Sequence, residues 1–246
     1  MNRYQILIEY VGTNFIGWQI QSKGQSIQET IQVTISKILK ENIDIIGSGR
    51  TDSGVHAIEQ SAHFDCKKKI ENLDKFLKSI NFFLNKNLIT IKNIKKKKLN
   101  FHARYSVKQR IYKYIIINRS YKPSIERNRA WHIRKKLDLI LMKKGAKKLL
   151  GTNDYSTFRA SSCGSKSPIK TIKSIKIKKL NDKIEIEFKS QSFLQQQVRS
   201  MVGCLKYLAE GKWNLKKFEE VFKSRKRILC APPAKSEGLY LLKVIY

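Results

Sequence analysis

The residues best suited to chemistry lie in one glycine-rich run, Gly47–Ala57, whose sequence is GSGRTDSGVHA. The run is not a common phosphate-binding loop, because the dinucleotide fingerprint needs glycine in place of Asp52 and a P-loop needs lysine in place of Val55. We therefore predict that its glycines adopt positive φ angles that expose Asp52, whose carboxylate can act as a nucleophile or a base. A tight turn in which Asp52 caps its own amides is the alternative interpretation of this loop.

A second run, residues 101–114 (FHARYSVKQRIYKY), interleaves aromatic with basic side chains. This mixture is typical of surfaces that stack on bases and contact the nucleic-acid backbone. Tyr112 and Tyr114 have strand spacing, so packing within a sheet is the alternative role for both rings. Four residues of this run are predicted to bind substrate: Tyr112, Arg110, Arg104 and His102. Arg159, later in the chain, is predicted to bind substrate as well.

Two arginines and the histidines are weaker candidates when each is taken alone. Arg50 and Arg199 are suited to binding phosphate or to neutralising Asp52, and on so basic a chain a solvated charge is an equal alternative. His102, like the other histidines, has no carboxylate at relay spacing, so spacing alone favours a structural role for it.

The composition indicates a folded protein that binds a polyanion. The 246 residues include 51 Lys and Arg against 19 Asp and Glu, which gives a formal net charge of +32, and 41% of them are hydrophobic. So many apolar residues exclude a disordered basic tail. Nucleic acid is the expected partner, before an anionic membrane surface, although part of the charge reflects a general enrichment in Lys, Ile and Asn. Because no apolar run of about 20 residues and no signal peptide is present, we expect a soluble, cytoplasmic protein.

The four cysteines, Cys66, Cys163, Cys204 and Cys230, are widely spaced along the chain. They form no CxxC pair and have no histidine at ligand spacing, which argues against a zinc site and against a disulfide framework. We therefore expect no metal and ordinary reduced thiols.

Hydrophobic periodicity predicts two halves with the same order of elements. In the first half, a strand at 3–10 is followed by a helix that Ser26 and Glu29 open with capping-box spacing. The other elements predicted there are strands at 43–47 and 58–65, a helix over 73–84 and a strand at 88–96. The second half is predicted to contain a strand at 110–118, helices at 135–150, 193–209 and 214–225, hairpin strands at 169–179 and 183–190, and a last strand, LYLLKVIY.

The repeated order β-α-β-β-α-β predicts an α+β fold of two tandem ferredoxin-like halves, residues 1–105 and 106–246. Their antiparallel sheets are expected to lie side by side, with a central RNA-binding cleft between them. The N-terminal half carries the loop of Asp52, and the C-terminal half completes the cleft.

With these residues in view, the chain resembles the tRNA pseudouridine synthase A family from Tyr10 to the C-terminus. The signature of the family is GRTDSGVHA, which stands at Gly49–Ala57. Seven further sequence blocks occur in the same order along the chain as in the family: GWQIQ, QSAHF, FHARYS, RIYKY, DYSTFRASSC, FLQQQVRSMVG and EGLYL. Departures from the family pattern at Val11, at Gly164, at Gln195–Gln197 and around Cys230 affect substrate range more than the reaction.

The resemblance implies an isomerase that converts uridine to pseudouridine at positions 38, 39 and 40 of the tRNA anticodon arm, as a homodimer and without cofactor or metal. Its one catalytic aspartate would be Asp52, which acts as nucleophile. Arg50 and Arg199 would balance the charge and bind the flipped nucleotide, and Tyr112 would pack against the target base.

Two other classes of protein compete with this interpretation. One is a catalytically inactive RNA-binding protein that keeps the fold, and the intact Asp52 argues against it, because a pure binder has little use for a carboxylate that faces phosphates. The other is a basic ribosome-associated structural protein, which would explain the charge but not the glycine-rich loop.

Overall fold

A computed structural model describes residues 1–246. The chain forms two compact units: unit 1 consists of residues 1–108 and 240–246, and unit 2 of residues 109–239. This grouping differs at the C-terminus from the predicted ranges 1–105 and 106–246. The difference arises because Tyr240 and Leu241 pair in parallel with His56 and Ala57 of unit 1.

Strands and helices occur in both units, which confirms the predicted α+β class. The strands are β1 (Asn2–Tyr10), β2 (Ile46–Gly47), β3 (His56–Cys66), β4 (Ile89–Lys97), β5 (Gln109–Asn118), β6 (Trp131–Ile133), β7 (Gly151–Asp154), β8 (Ile169–Leu180), β9 (Lys183–Ser190) and β10 (Leu239–Ile245). The helices are α1 (Ile27–Leu39), α2 (Leu73–Leu84), α3 (Leu139–Lys148), α4 (Gln197–Ala209) and α5 (Leu215–Lys223). None of these helices has the length and apolar character needed to cross a membrane.

Unit 1 is built on strand β1, which lies between β3 and β4 and is antiparallel to both. Strand β2 adds a two-residue pairing beside β3. Alternate residues of β1 are fully or almost fully buried, as the period of a strand requires: Tyr4, Ile6, Ile8 and Tyr10. Because β3 pairs with the buried strand β1, the position of β3 and of the loop that precedes it is fixed.

Helices α1 and α2 begin where their sequences predict. The Oγ atom of Ser26 accepts a hydrogen bond from the amide of Glu29, which satisfies a donor that the first turn leaves unpaired. Asn72 caps α2 in the same way. The two helices pack against each other and bury apolar stripes, and each fully buried isoleucine contributes about 1.5–3 kcal/mol. The buried residues are Ile27, Ile31 and Ile35 in α1, and Phe76, Ile80 and Leu84 in α2.

In unit 2, β5 pairs with β9, β9 with β8, and β8 with β7, all antiparallel, and β6 is parallel to β5. The predicted hairpin of β8 and β9 turns at Asn181, whose φ of 55° lies in the left-handed region that asparagine tolerates. Helix α4 begins at Gln197 and not at residue 193 as predicted, because Gln196 has a φ of 60° that a helix cannot contain. Helices α3, α4 and α5 pack against one another.

Candidate active site

Asp52 lies in the loop between β2 and β3, and the backbone of this loop is tied to residues 15–18. The amide of Trp18 donates to the carbonyl oxygen of Thr51 at 3.1 Å. Within the loop, the amide of Val55 donates to the carbonyl oxygen of Asp52 at 3.1 Å, so residues 52–55 form a tight turn. The side chain of Asp52 is half-buried. The main chain on both sides of this carboxylate is therefore fixed.

Two glycines allow the preceding segment to approach the loop closely. At Gly17 the φ angle is +122°, and a Cβ atom would lie 2.7 Å from the carbonyl oxygen of Thr51. At Gly12 a Cβ atom would overlap the carbonyl oxygen of Val55. A side chain at either position would push the loop away from residues 12–17, because only glycine leaves space for this backbone contact.

Gly17→Ala is expected to lower the free energy of unfolding by about 2–4 kcal/mol, because the new Cβ meets Thr51 and alanine disfavours a positive φ. Equilibrium unfolding in urea measures the change. Gly164→Ala is the matched control, since a Cβ atom there has no heavy atom within 4 Å. The control should change the unfolding free energy by less than about 1 kcal/mol. Equal stabilities of the two variants would show that Gly17 is not constrained.

Side-chain hydrogen bonds fix further parts of the same loop. The hydroxyls of Tyr10 and Thr51 lie 2.9 Å apart and are buried. Ser48 Oγ donates to Gln60 Oε1 at 2.6 Å, and Gln60 Nε2 donates to the carbonyl oxygen of Gly49 at 2.9 Å. Buried polar groups that are paired in this way resist displacement, since an unpaired group would cost about 1–3 kcal/mol. The sequence did not single out Tyr10, Ser48 or Gln60, although Gln60 begins the QSAHF block.

The predicted positive φ angle occurs at Gly54 and not at Gly47 or Gly49, so the prediction for the loop glycines is correct only for Gly54. Gly54 has a φ of +74°, in the left-handed region that glycine adopts without strain. Gly47 has no positive φ, and its importance lies in packing, because a Cβ atom would lie 2.6 Å from the ring of Trp18. Gly54 therefore supplies the turn, and Gly47 gives space to the indole of Trp18.

His102 and Arg104 lie in a segment that follows β4 and contacts His63 of β3. The Nδ1 atom of His102 accepts hydrogen bonds from the amides of Arg104 at 3.1 Å and Tyr105 at 3.3 Å. The Nδ1 atom of His63 accepts from the amide of Ala103 at 3.1 Å. The rings of His63 and His102 are 4.9 Å apart between centroids. Both imidazole rings therefore hold nearby backbone through their Nδ1 atoms.

The stability of unit 1 is expected to depend on the protonation of His63. Burial lowers the pKa of His63 to about 4, Arg3 and His102 act in the same direction, and Asp65 opposes them. As the pH falls, His63 binds a proton in the unfolded chain at about pH 6.5, before it does so in the folded protein. The folded protein therefore has its full stability above about pH 6.5 and loses stability as the pH falls towards 4. The expected loss in unfolding free energy is about 1–2 kcal/mol, after allowance for solvent screening.

Urea unfolding of the wild type and of His63→Asn between about pH 7 and pH 4.5 tests this expectation. The asparagine oxygen still accepts a hydrogen bond from Ala103, but the side chain does not titrate. The variant should therefore lose less stability than the wild type as the pH falls. The same pH dependence in both proteins would contradict the assignment to His63.

In unit 2, Tyr112 and Arg110 lie on β5. The side chain of Tyr112 is 8% exposed, and its ring packs edge-on against Phe193 with 5.2 Å between the centroids. Phe188 stands opposite Tyr112 on β9. The guanidinium of Arg110 donates to the carbonyl oxygen of Gln191 at 2.6 Å. Most of the Tyr112 ring is thus buried beside other aromatic rings.

Arg199 and Arg159 are half-buried, and each holds nearby backbone of unit 2. On α4, Arg199 Nε donates to the carbonyl oxygen of Ala234 at 2.8 Å, and the amide of Ala234 donates to the carbonyl oxygen of Arg199 at 2.9 Å. Arg159 donates from Nη2 to the carbonyl oxygen of Cys163 at 2.6 Å. Both guanidinium groups are consequently held by backbone oxygens in their own unit.

The predicted site residues fall into groups within each unit. In unit 1, Asp52 shares its loop with the exposed Arg50, and His102 shares a segment with Arg104. Unit 2 contains the other four, Tyr112, Arg110, Arg199 and Arg159. A half-buried carboxylate with fixed backbone on both sides is suited to nucleophilic or base catalysis on a bound substrate.

The comparison with known families gives the class of the protein. A family model described as tRNA pseudouridine synthase matches residues 6–106 and 146–246. The first matched part contains the loop of Asp52, and the second contains Arg199. The chain therefore belongs to the tRNA pseudouridine synthase family. It is an isomerase that forms pseudouridine in tRNA.

Two curated relatives extend the similarity over the whole chain. The chain is 73% identical to the tRNA pseudouridine synthase A of Pelagibacter ubique over 246 residues, which are 100% of both chains. It is 38% identical to the tRNA pseudouridine synthase A of Parvibaculum lavamentivorans over 246 residues, again 100% of both chains. The resemblance predicted from the sequence blocks is confirmed.

Proposed function

We propose that this enzyme isomerises uridine at positions 38, 39 and 40 of the tRNA anticodon arm, with Asp52 as the nucleophile. The observation that carries the proposal is the fixed backbone around Asp52, which is held by the Trp18–Thr51 and Val55–Asp52 hydrogen bonds. A catalytic group that is already in position reacts without a further loss of entropy. Similarity to synthases that are named for tRNA supports this class of substrate.

The reaction breaks the bond between C1′ of the ribose and N1 of uracil and forms a bond between C1′ and C5. The hydrogen on C5 leaves as a proton, N1 takes up a proton, and no oxidation or reduction takes place. As the proposed nucleophile, the carboxylate of Asp52 attacks C1′ or adds to C6 of the ring, and the alternative route uses it as a base that removes a proton at C2′. All three routes require the carboxylate of Asp52 to lie against the target nucleotide.

The target base must leave the stem before it reacts, and unstacking costs a few kcal/mol. In the proposed complex, Tyr112 packs against the flipped base and offsets part of this cost, while Arg50 and Arg199 balance the charges of Asp52 and the nucleotide. The net charge of +32 supports a polyanionic substrate. The other residues proposed to bind the RNA are Arg110, Arg104, His102 and Arg159.

The proposal includes the arrangement that binds the anticodon stem-loop. We propose that each of the two units is a ferredoxin-like half and that RNA binds in the cleft predicted from the sequence. The order β1-α1-β2-β3-α2-β4 in unit 1 supports the first half. A cytoplasmic location follows from the substrate, since tRNA is processed there, and no membrane partner is proposed.

A homodimer is expected, because the family resemblance implies one. Static light scattering should give twice the chain mass of 28.7 kDa. The measurement is made at micromolar protein concentration, on the same preparation in which the rate of uridine isomerisation has been measured. A monomer that isomerises uridine at the full rate would contradict the expectation.

Release of tritium from tRNA labelled at C5 of uridine tests the proposed activity. Only isomerisation breaks the bond between C5 and its hydrogen, so the purified enzyme should release tritium as pseudouridine forms. A protein that binds tRNA in a filter assay and releases no tritium would be the inactive RNA-binding alternative.

A further inference from the structure

Two cysteines that are 26 positions apart in the sequence lie together in unit 2. The Sγ atoms of Cys204, on α4, and Cys230 are 3.5 Å apart. The guanidinium of Arg227 contacts Cys230 Sγ at 3.4 Å and donates to Ser200 Oγ at 2.7 Å, so it is held facing the thiol. Cys204 is buried, whereas Cys230 is half-buried. One sulfur of the pair is therefore more accessible to small solutes than the other.

The surroundings favour a thiolate at Cys230. The hydrogen bond from the Cys204 thiol lowers the pKa of Cys230, and Arg227 acts in the same direction against the effect of burial. The same hydrogen bond, together with burial, raises the pKa of Cys204. A thiolate is the form of cysteine that reacts with peroxides, and a neighbouring thiol converts the product to a disulfide.

We propose that Cys204 and Cys230 are a peroxide-sensitive thiol pair, in which Cys230 attacks and Cys204 resolves. The Cys230 sulfur attacks one oxygen of hydrogen peroxide, the O–O bond breaks, and the departing hydroxide takes up a proton, which leaves a sulfenic acid on Cys230. The Cys204 sulfur then attacks the Cys230 sulfur, the S–O bond breaks, and the departing hydroxide takes the Cys204 proton. Two thiols are oxidised to one disulfide, and the peroxide is reduced to two waters.

The geometry requires only a small movement to form the disulfide. The sulfur–sulfur distance must shorten from 3.5 Å to about 2.05 Å. The segment after Cys230 already lies on α4, because a Cβ atom at Gly203 would overlap the carbonyl oxygen of Pro232. The amide of Ala234 also donates to the carbonyl oxygen of Arg199 at 2.9 Å. The disulfide would add a covalent link between two backbones that are already in contact.

Treatment of the purified wild-type chain with hydrogen peroxide, followed by mass spectrometry, tests the proposal. We expect a loss of about 2 Da per chain that dithiothreitol reverses, and a cross-link between the peptides that contain Cys204 and Cys230. In Cys204→Ser the second step is blocked, so dimedone should label the sulfenic acid of Cys230. Oxidation of Cys66 or Cys163 while the pair stays reduced would overturn the proposal.

A matched pair of arginine variants tests the activation of Cys230. Arg227→Gln should slow disulfide formation by roughly threefold to tenfold, because the thiolate loses its neighbouring cation. Arg225→Gln should leave the rate unchanged, since Arg225 contacts Asp154 at 3.6 Å. Equal rates in the two variants would contradict the role of Arg227. The wild-type cross-link needs no substitution and no tRNA, so it decides the proposal even if a variant fails to fold or the proposed function is wrong.

Discussion

Asp52→Asn is expected to abolish uridine isomerisation and to leave tRNA binding intact. Asparagine keeps the size and most of the hydrogen bonds of the side chain, but it has no charge with which to act as nucleophile or base. A loss of about 8 kcal/mol or more of barrier lowering slows the reaction at least about a millionfold. Affinity for tRNA should hold or rise, because a negative charge is removed from the binding site of a polyanion.

Single-turnover tritium release and filter binding on the same preparation measure both parts of this prediction. Asp44→Asn is the matched control, because Asp44 is exposed and the substitution removes the same charge. The control should react at the normal rate. A rate for Asp52→Asn above about one per cent of normal, a loss of less than roughly 3 kcal/mol, would make Asp52 a structural residue of the turn.

Arg199→Leu is expected to lower kcat/KM by about a hundredfold to a thousandfold, since it removes a cation that we propose balances charge around the reacting nucleotide. It should also lower the free energy of unfolding by about 1 kcal/mol. This second loss has a different cause, because Arg199 Nε donates to the carbonyl oxygen of Ala234 at 2.8 Å. Steady-state kinetics and urea unfolding measure the two effects separately.

Two further variants separate charge from structure at Arg199. Arg199→Lys keeps the charge without the planar guanidinium and should have intermediate activity. Arg127→Leu removes one positive charge from an exposed position in unit 2 and should leave kcat/KM unchanged. If Arg199→Leu lost stability but kept its kcat/KM, the role of Arg199 would be confined to holding the segment around Ala234.

Elements with a strong local pattern were predictable from the sequence. The isoleucine stripe of α1, opened by Ser26, and the asparagine turn between β8 and β9 are both present. Strands β6 and β7 were missed, because three and four residues are too few to show a period. The start of α4 was placed too early, since the left-handed backbone of Gln196 leaves no trace in the hydrophobic pattern.

Contacts between distant parts of the chain were the least predictable. The pairing of β10 with β3 involves two residue pairs in parallel, which local periodicity does not encode. The loop of Asp52 was recognised from its residue types, but the close approach of Gly17 and the Tyr10–Thr51 hydrogen bond depend on tertiary structure. The contact of Cys204 with Cys230 was hidden for the same reason, because their spacing matches no motif.

The position of pseudouridine in a tRNA treated with the purified enzyme is the most direct measurement. The substrate is a transcript with uridine at positions 38, 39 and 40, and carbodiimide modification with reverse transcription locates the product. We predict pseudouridine at these positions with the wild type and none with Asp52→Asn. Pseudouridine only at other uridines, or the same pattern with Asp52→Asn, would contradict the proposed activity of this site.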